Sequence, residues 1–411
     1  MHLGAISLAA LGVAVLLSCT TRLNVGLISI AFAWIIGVYM GGMPVKAVTA
    51  GFPVDLFLTL AGVTLLFTQA QVNGTLDKVA RAAVRSCRGN AGLAAVLIFV
   101  LAAGLASIGP GNIATAALLA PMAMSTAARM RIPAFLMAIM VGNGANAGSL
   151  SPFAPTGIIV SGLMTRIGLP GLESRTYMDN LIAHAVLAGG GFLLLGGWRL
   201  FGKRSEEDGN EASGAGFERK HLVTLAAIGA LVGSVLVLKA NVGMAAFAAA
   251  VLLSLTRIAD DGEALRRMPW GTIVMVSGVT VLIGLLEKTS GLDLFTDFIA
   301  RYATAETIAP LISFVTGTIS VYSSTSGVVL PAFLPTIPGL VEKLGGGDPA
   351  SIASAMNIGG HLVDVSPLST IGALCVASMP AGEESRRLFN QLLGWGLSMT
   401  VVGAAYSWLV F

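Results

Sequence analysis

Charge is what this chain has least of. Asp, Glu, Lys and Arg make up 11% of its 411 residues, against 55% hydrophobic residues and a mean hydropathy of +0.84. That is too little polar surface to cover a soluble domain of this length, so the composition reads as an integral membrane protein. Ten-residue segments of alternating polarity are missing as well, which excludes a transmembrane β-barrel. The three cysteines, Cys19, Cys87 and Cys375, are too few and too far apart for a disulfide framework or a cysteine metal cluster. A Leu-Leu-Ser-Cys run ends at Cys19 and faintly resembles a lipoprotein cleavage site, but no basic region precedes it, and residues 3–19 read as a spanning helix. No HExxH, Walker A or dinucleotide fingerprint is present, and Ser151 and Ser366 precede prolines rather than sit in a Gly-x-Ser-x-Gly turn. The reading is therefore of a protein that is not an enzyme and uses no organic cofactor. The formal net charge of +3 comes from Lys and Arg scattered through short loops, which points to topology signals and a lipid bilayer rather than to nucleic acid.

What the chain does have is long apolar runs, several of them interrupted. Spans are expected at 3–19, 24–42 and 53–72, followed by an amphipathic surface stretch at 74–88 with Lys78, Arg81 and Arg85 on one face. The run 91–124 breaks at Ser107-Ile-Gly-Pro-Gly-Asn112, leaving arms too short to cross comfortably, and reads as a re-entrant hairpin. A broken helix at 133–165 and a span at 178–201 complete a first unit, 1–201. The stretch 202–220 is the one linker-like segment. The second unit, 221–411, follows the same order: spans at 221–238, 242–257 and 270–288, an amphipathic stretch at 289–303, a hairpin at 306–338, a broken helix at 350–378 and a last span at 387–411.

The two units echo each other in detail. Residues 62–85 return as 278–301 at an offset of 216, and Ser151-Pro-Phe-Ala-Pro-Thr-Gly157 returns as Ser366-Pro-Leu-Ser-Thr-Ile-Gly372 at 215. Each unit has five spans plus one hairpin, and an odd number of spans inserts the copies in opposite orientations. The fold class expected is thus an all-α polytopic membrane protein of two inverted repeats, with broken helices at the midplane. Placing both termini outside and the linker in the cytoplasm leaves only Lys46, Arg166, Arg175, Lys239, Lys288, Arg301 and Lys343 on the outer face, out of 24 Lys and Arg. That is the bias the positive-inside rule demands of a multi-pass protein of the bacterial inner membrane.

Chemistry is expected at the interruptions, because unwound backbone survives at membrane depth only where it is buried in protein or lines a wet cavity. Freed carbonyls and hydroxyls suit a hard cation, and helix N-termini suit an anion. The first unit offers Ser107, Asn112, Thr115, Asn143, Asn146, Gly148, Ser149, Ser151 and Thr156; the second offers Ser323, Ser324, Thr325, Ser326, Asn357, Ser366, Ser369 and Thr370. Small polar residues also serve plain helix packing in membranes, which is the alternative for any one of them. Asp364 stands where Ser149 stands in the other unit, two residues before the Ser-Pro step. It could ligate a cation, carry a proton or satisfy freed backbone amides, with His361 nearby to modulate it. His184 reads as a packing residue without polar neighbours, and His221 as part of a boundary loop. With no ATP-binding module in the chain, transport would be driven by an ion gradient or by another subunit.

At its hairpin, Gly109-Pro-Gly-Asn-Ile-Ala-Thr-Ala-Ala-Leu-Leu-Ala-Pro-Met122 resembles the divalent-anion:sodium symporter family of the ion transporter superfamily, and LFLTLAGVTLLFTQAQVNGTLDKVARA is similar to the MatC-type malonate and dicarboxylate carriers. Asn112 matches the family's tip Asn, while Gly111 and Ile113 replace its Ser and Thr, and the second tip, Ser324-Thr325-Ser326, lacks the Asn. The resemblance implies sodium-coupled symport of malonate or a C4-dicarboxylate. It also implies an elevator-type transport domain and a homodimer formed through scaffold helices. Sodium would be held by Ser107, Asn112, Asn143, Gly148 and Ser149 in one unit and by Ser323, Ser326 and Asp364 in the other. The small dicarboxylate anion would lie between them on Asn112, Ser151, Thr156, Ser324, Thr325, Ser366, Ser369 and Thr370. A cation/proton antiporter, an arsenite-type permease and a proton-coupled dicarboxylate carrier are the alternatives.

Overall fold

The computed structural model describes residues 3–21, 23–85, 87, 89–202, 216–380 and 382–411, which form helices joined by short turns; among them there is no strand. Seven helices are long and apolar enough to cross a membrane, and shorter apolar helices accompany them. The chain is a multi-pass membrane protein. Most of the expected linker, 203–215, lies outside the described residues. The helix after it starts at Arg219, and His221 belongs to its first turn rather than to a loop. Its Nδ1 accepts from the Glu218 amide at 3.0 Å while Glu218 caps the helix, a reciprocal arrangement that satisfies two orphan amides.

Local chemistry explains where the helices begin. Asn24, Asn90, Asn241 and Asp348 each precede a helix with extended backbone and accept an amide of the first turn on the side chain, which satisfies one of the donors a helix start leaves unpaired. The helix Val54–Val72 ends at Asn73-Gly74, and after the turn Thr75–Arg85 carries Asp77 in its first turn. The corresponding passage runs Trp270–Lys288, Thr289-Ser290, Gly291–Ala300. Gly74 has φ +80 and Ser290 has φ +56, so the left-handed turn recurs even though glycine does not.

The arms at the first interruption are longer than the sequence suggests: Ala91–Ile108 has 18 residues and is itself long and apolar enough to cross a membrane, and Gly111–Arg129 has 19. Ala91–Ile108 and Gly111–Arg129 form the arms of the first hairpin, turning at Gly109 with φ +147. Ala134–Gly148 and Pro155–Arg166 are the two parts of the first broken helix. Ile308–Ser320 is the first arm of the second hairpin. Its other arm, Thr325–Lys343, winds through a π-helical turn, an α turn, a 3-10 turn and a final α turn. Pro331, Pro335 and Pro338 lie along that arm, and each removes a backbone donor from a regular ladder. Pro349–Leu362, a short 3-10 turn at Val363–Val365 and Thr370–Ala377 make the second broken helix.

Packing repeats pair by pair. Val54–Val72 lies on Val242–Leu255, and Trp270–Lys288 lies on Val25–Trp34. Leu3–Thr20 packs on Gly291–Ala300 and Arg219–Leu238 on Thr75–Arg85. Each hairpin's first arm packs on the broken helix that follows it: Ala91–Ile108 on Ala134–Gly148, and Ile308–Ser320 on Pro349–Leu362. Glycines set these distances. A Cβ on Gly62 would stand 2.4 Å from the Gly243 carbonyl oxygen, and one on Gly278 would stand 2.2 Å from that of Gly26. Backbones in such contact exclude any larger residue, the usual device for close helix approach in lipid. Leu3–Thr20, Val25–Met40, Val54–Val72, Arg219–Leu238, Val242–Leu255 and Trp270–Lys288 thus gather on one side. The first hairpin, Ala134–Gly148, Ile308–Ser320, Pro349–Leu362, Thr370–Ala377, Glu173–Leu194 and Glu383–Val410 pack together on the other, while Pro155–Arg166 packs on Val54–Val72 and the arm Thr325–Lys343 on Trp270–Lys288 and Gly291–Ala300.

Candidate functional site

Both broken helices meet at their breaks. Asn146, in the last turn of Ala134–Gly148, donates from Nδ2 to the carbonyl of His361 at 3.0 Å, and its Oδ1 accepts from Asn112 Nδ2 at 2.9 Å. Asn112 therefore joins the first hairpin tip to the first break, and Asn146 joins the first break to the second. Oδ1 of Asn112 accepts from the Ile113 amide at 3.0 Å. On the other side Thr325 Oγ1 lies 3.0 Å from Asp364 Oδ1, 3.2 Å from the Gly360 carbonyl and 3.1 Å from Ser320 Oγ. Each tip thus reaches the neighbouring break with a side chain, an amide in one unit and a hydroxyl in the other.

The remaining expected residues are distributed around this web. Ser107 Oγ donates to Ala103 O at 2.6 Å and contacts Tyr177 Oη at 2.9 Å, while its carbonyl accepts from Ser151 Oγ at 2.6 Å. Asn143 is fully buried and donates to Ile139 O at 3.0 Å. Ser149 donates to Asn146 O at 2.7 Å. Gly148 lets the helix end against the first hairpin arm, since a Cβ there would lie 2.3 Å from Ala103 O. Thr156 and Thr115 are buried in the first turns of Pro155–Arg166 and Gly111–Arg129, and Thr115 Oγ1 has no protein partner. Ser324 caps the π-helical turn by accepting from the Gly327 amide at 3.1 Å. Ser323 precedes the turn and Ser326 lies within it, both half-buried, Ser323 Oγ without a protein partner. Ser366 is buried and accepts from the Leu368 amide at 3.3 Å; Ser369 donates to the Asp364 carbonyl. Thr370 opens the next helix with its side chain exposed, which sets it apart from the buried members.

Two departures from the expected motif have local causes. Gly111 has φ +76, and a Cβ there would meet Pro155 Cδ at 2.8 Å, so the tip of the first hairpin rests on the start of Pro155–Arg166 where a serine would have to push it away. Ile113 is 42% exposed and faces away from the web.

Sequence reasoning missed three contributors. His184 has a polar neighbour after all: its Nδ1 lies 3.0 Å from Asn143 Oδ1. Asn180 donates to the Asn146 carbonyl at 2.8 Å, and Tyr177 meets Ser107. All three stand on Glu173–Leu194, a helix without a break, and the search for breaks passed over it. Their steps of three and four residues, which put Tyr177, Asn180 and His184 on one helix face, were the available signal. No lysine or arginine is buried among the described residues. The web is built of neutral amides, hydroxyls and imidazoles with the one carboxylate of Asp364, and it offers oxygen donors to a cation and helix starts to an anion.

Comparison with known proteins fits this geometry. Residues 1–149 match the family model described as the dicarboxylate carrier protein MatC N-terminus. Uncharacterized transporters of Mycobacterium bovis and of Mycobacterium tuberculosis are each 24% identical over 391 residues, covering 87% of this chain and 86% of theirs. Among solved structures, the Alcanivorax borkumensis YdaH transporter, described as having an unusual topology, superposes with a TM-score of 0.60 at 14% identity, over 89% of this chain and 86% of that one. The chain thus shares the fold of a membrane transporter.

Proposed function

We propose that this chain is a secondary active transporter that carries a small dicarboxylate, malonate or a C4 acid, together with sodium across the bacterial inner membrane. The single observation that carries the reading is the crossing of the two breaks at Asn146 and His361, with a hairpin tip on each side. In this reading the molecule is two inverted repeats, a symmetry supported by the matched helix pairs and by the paired glycine contacts of Gly62 with Gly243 and Gly278 with Gly26. One sodium ion sits among Ser107, Asn112, Asn143, Gly148 and Ser149, and a second among Ser323, Ser326 and Asp364. The dicarboxylate lies between them on Asn112, Ser151, Thr156, Ser324, Thr325, Ser366, Ser369 and Thr370. The hairpin side moves against the other side as an elevator, and the latter forms a homodimer. The MatC-type match over the first 149 residues supports the substrate class.

Neutral donors suffice for a dicarboxylate because helix starts supply partial positive charge where no arginine does. The test is thermal stabilisation of the purified protein by malonate, succinate, citrate, sulfate and arsenite, with and without sodium, followed by uptake into proteoliposomes. Stabilisation by malonate or succinate that requires sodium supports the proposal; stabilisation by no anion under any cation overturns it. A second reading, cation/proton exchange or an arsenite-type permease, is favoured by one observation, the Thr325 hydroxyl on the Asp364 carboxylate. There Asp364→Asn abolishes transport while anions leave stability unchanged.

A further inference from the structure

Two facing helices carry the same spacing. Asn180-Leu-Ile-Ala-His184 stands on Glu173–Leu194 and Asn357-Ile-Gly-Gly-His361 on Pro349–Leu362, and the two helices pack on each other. In each, Asn and His are one turn apart on one face. All four side chains are fully buried. The helix Ala134–Gly148 bonds the His184 imidazole through Asn143 and the His361 backbone carbonyl through Asn146, and the contacts of Ser354 with Asp179 and of Arg175 with Ser351 hold the two histidine-bearing helices side by side.

Hydrogen bonding fixes what each group has left over. The Nδ1 of His361 is 2.8 Å from the Asn357 carbonyl, which only accepts, so Nδ1 carries the hydrogen and Nε2 keeps its lone pair. Asn143 Nδ2 donates to Ile139 O, so its Oδ1 is the acceptor facing His184 Nδ1, and His184 likewise keeps its Nε2 lone pair. Asn180 spends its amide hydrogens on the carbonyl of Asn146, and Asn357 donates to Ala353 O at 2.8 Å. Left without a protein partner are His184 Nε2, His361 Nε2, Asn180 Oδ1 and Asn357 Oδ1, all of them electron-pair donors. Buried acceptors left unpaired are costly, and four of them carried by two helices that pack on each other call for an electron-pair acceptor.

An imidazole whose Nδ1–H is tied to an oxygen while Nε2 stays open is the arrangement that orients a metal-ligating histidine. Sodium and magnesium prefer oxygen, whereas imidazole nitrogen suits zinc, cobalt, nickel and copper. We propose that His184 and His361 bind a borderline transition-metal ion through their Nε2 atoms, with Asn180 and Asn357 supplying amide oxygens. The ion would tie Glu173–Leu194 to Pro349–Leu362 behind the crossing of the breaks. It touches the proposed sodium positions at Asn143, which orients His184, and its test reads bound metal rather than transport.

Protein purified in detergent from cells grown with added zinc or cobalt, and washed with chelator, should retain close to one ion per chain by elemental analysis. X-ray absorption of the zinc form should report two imidazole ligands with a light-atom shell. His184→Gln with His361→Gln should lower retained metal by about tenfold, and His221→Gln should leave it unchanged. Negligible metal in the wild type, metal content unchanged in the double variant, or a spectrum of oxygen or sulfur alone overturns the proposal, a buried water being what the acceptors then hold. The X-ray absorption measurement needs only wild-type protein, so a variant that fails to fold does not leave the question open.

Discussion

Asn146 and His361 are 215 positions apart in the chain and are joined by a hydrogen bond of 3.0 Å. That separation equals the offset at which Ser151-Pro and Ser366-Pro echo each other, so the two residues stand at the same offset as the echoed motifs and meet at the two breaks. Replacing Asn146 by Leu removes the donor to His361 and the acceptor for Asn112 together. The loss expected is about 1–3 kcal/mol for each buried group left unpaired, read as a lower melting temperature in detergent. An unchanged melting temperature would show that the crossing contributes nothing.

The glycine contacts are expected to be less forgiving. Gly278→Val puts a side chain into the Gly26 carbonyl and Cα, all backbone atoms within 2.2–2.6 Å of the added Cβ. Backbone cannot swing aside as a side chain can, so Gly278→Val and its counterpart Gly62→Val should each cost several kcal/mol, beyond the ~1–3 of ordinary overpacking. The yield of monodisperse protein on size-exclusion chromatography checks this. Gly271→Ala, which meets nothing within 4 Å, is the control.

Ser290 presents the opposite case. It holds φ +56 where Gly74 holds φ +80 in the other unit. A non-glycine residue pays about 1–2 kcal/mol in this region, partly offset by the larger entropy glycine loses on folding. Ser290→Gly should therefore raise the melting temperature slightly, and Gly74→Ala should lower it by a larger amount. Equal shifts of the same sign would contradict the argument.

Thr325 and Asp364 should behave as one unit. Thr325→Val removes the hydroxyl on the carboxylate, and Asp364→Asn removes the charge it faces. Transport rates of the two single variants and the double variant form a cycle, and a coupling of about 0.5–3 kcal/mol is expected for residues in contact. Additive losses would separate the tip from the break.

One pH effect is predicted outside the membrane-spanning segments. Partial burial alone would raise the carboxyl of Asp348, but the Ser351 hydroxyl, the Ala350 amide and the Arg175 guanidinium outweigh it, and its pKa is lowered. A depressed acid contributes stability above its unfolded pKa of about 3.9 and loses that contribution as pH falls through its folded value. Arg175 is 47% exposed, so water screens the pair and less than about 1 kcal/mol is at stake. Asp348→Asn should flatten the acid limb of a melting-temperature profile below about pH 4 and leave the neutral limb nearly unchanged.

Much of this was legible in the chain because membranes punish irregular backbone: Gly109-Pro-Gly111, Ser151-Pro152 and Ser366-Pro367 announce the turns and breaks that the structure contains. The winding of Thr325–Lys343 was not legible, since three prolines allow several combinations of tighter and wider turns. Nor was the role of His184 and Asn180: their spacing shows a shared face, but their helix has no break, and their partners on Ala134–Gly148 are set by packing between helices. The exposure of Thr370 was hidden for the same reason: its neighbour Ser369 turns inward to the Asp364 carbonyl, and the next residue opens the helix facing out.

The bond between Asn146 and His361 also has a history. During synthesis the amide of Asn146 reaches the membrane long before the carbonyl that will accept from it, with 215 residues still to be made. At ribosomal speeds of about 5–20 residues per second that is roughly 10–40 s. Over that interval the Asn146 amide lacks the carbonyl to which it donates in the finished fold.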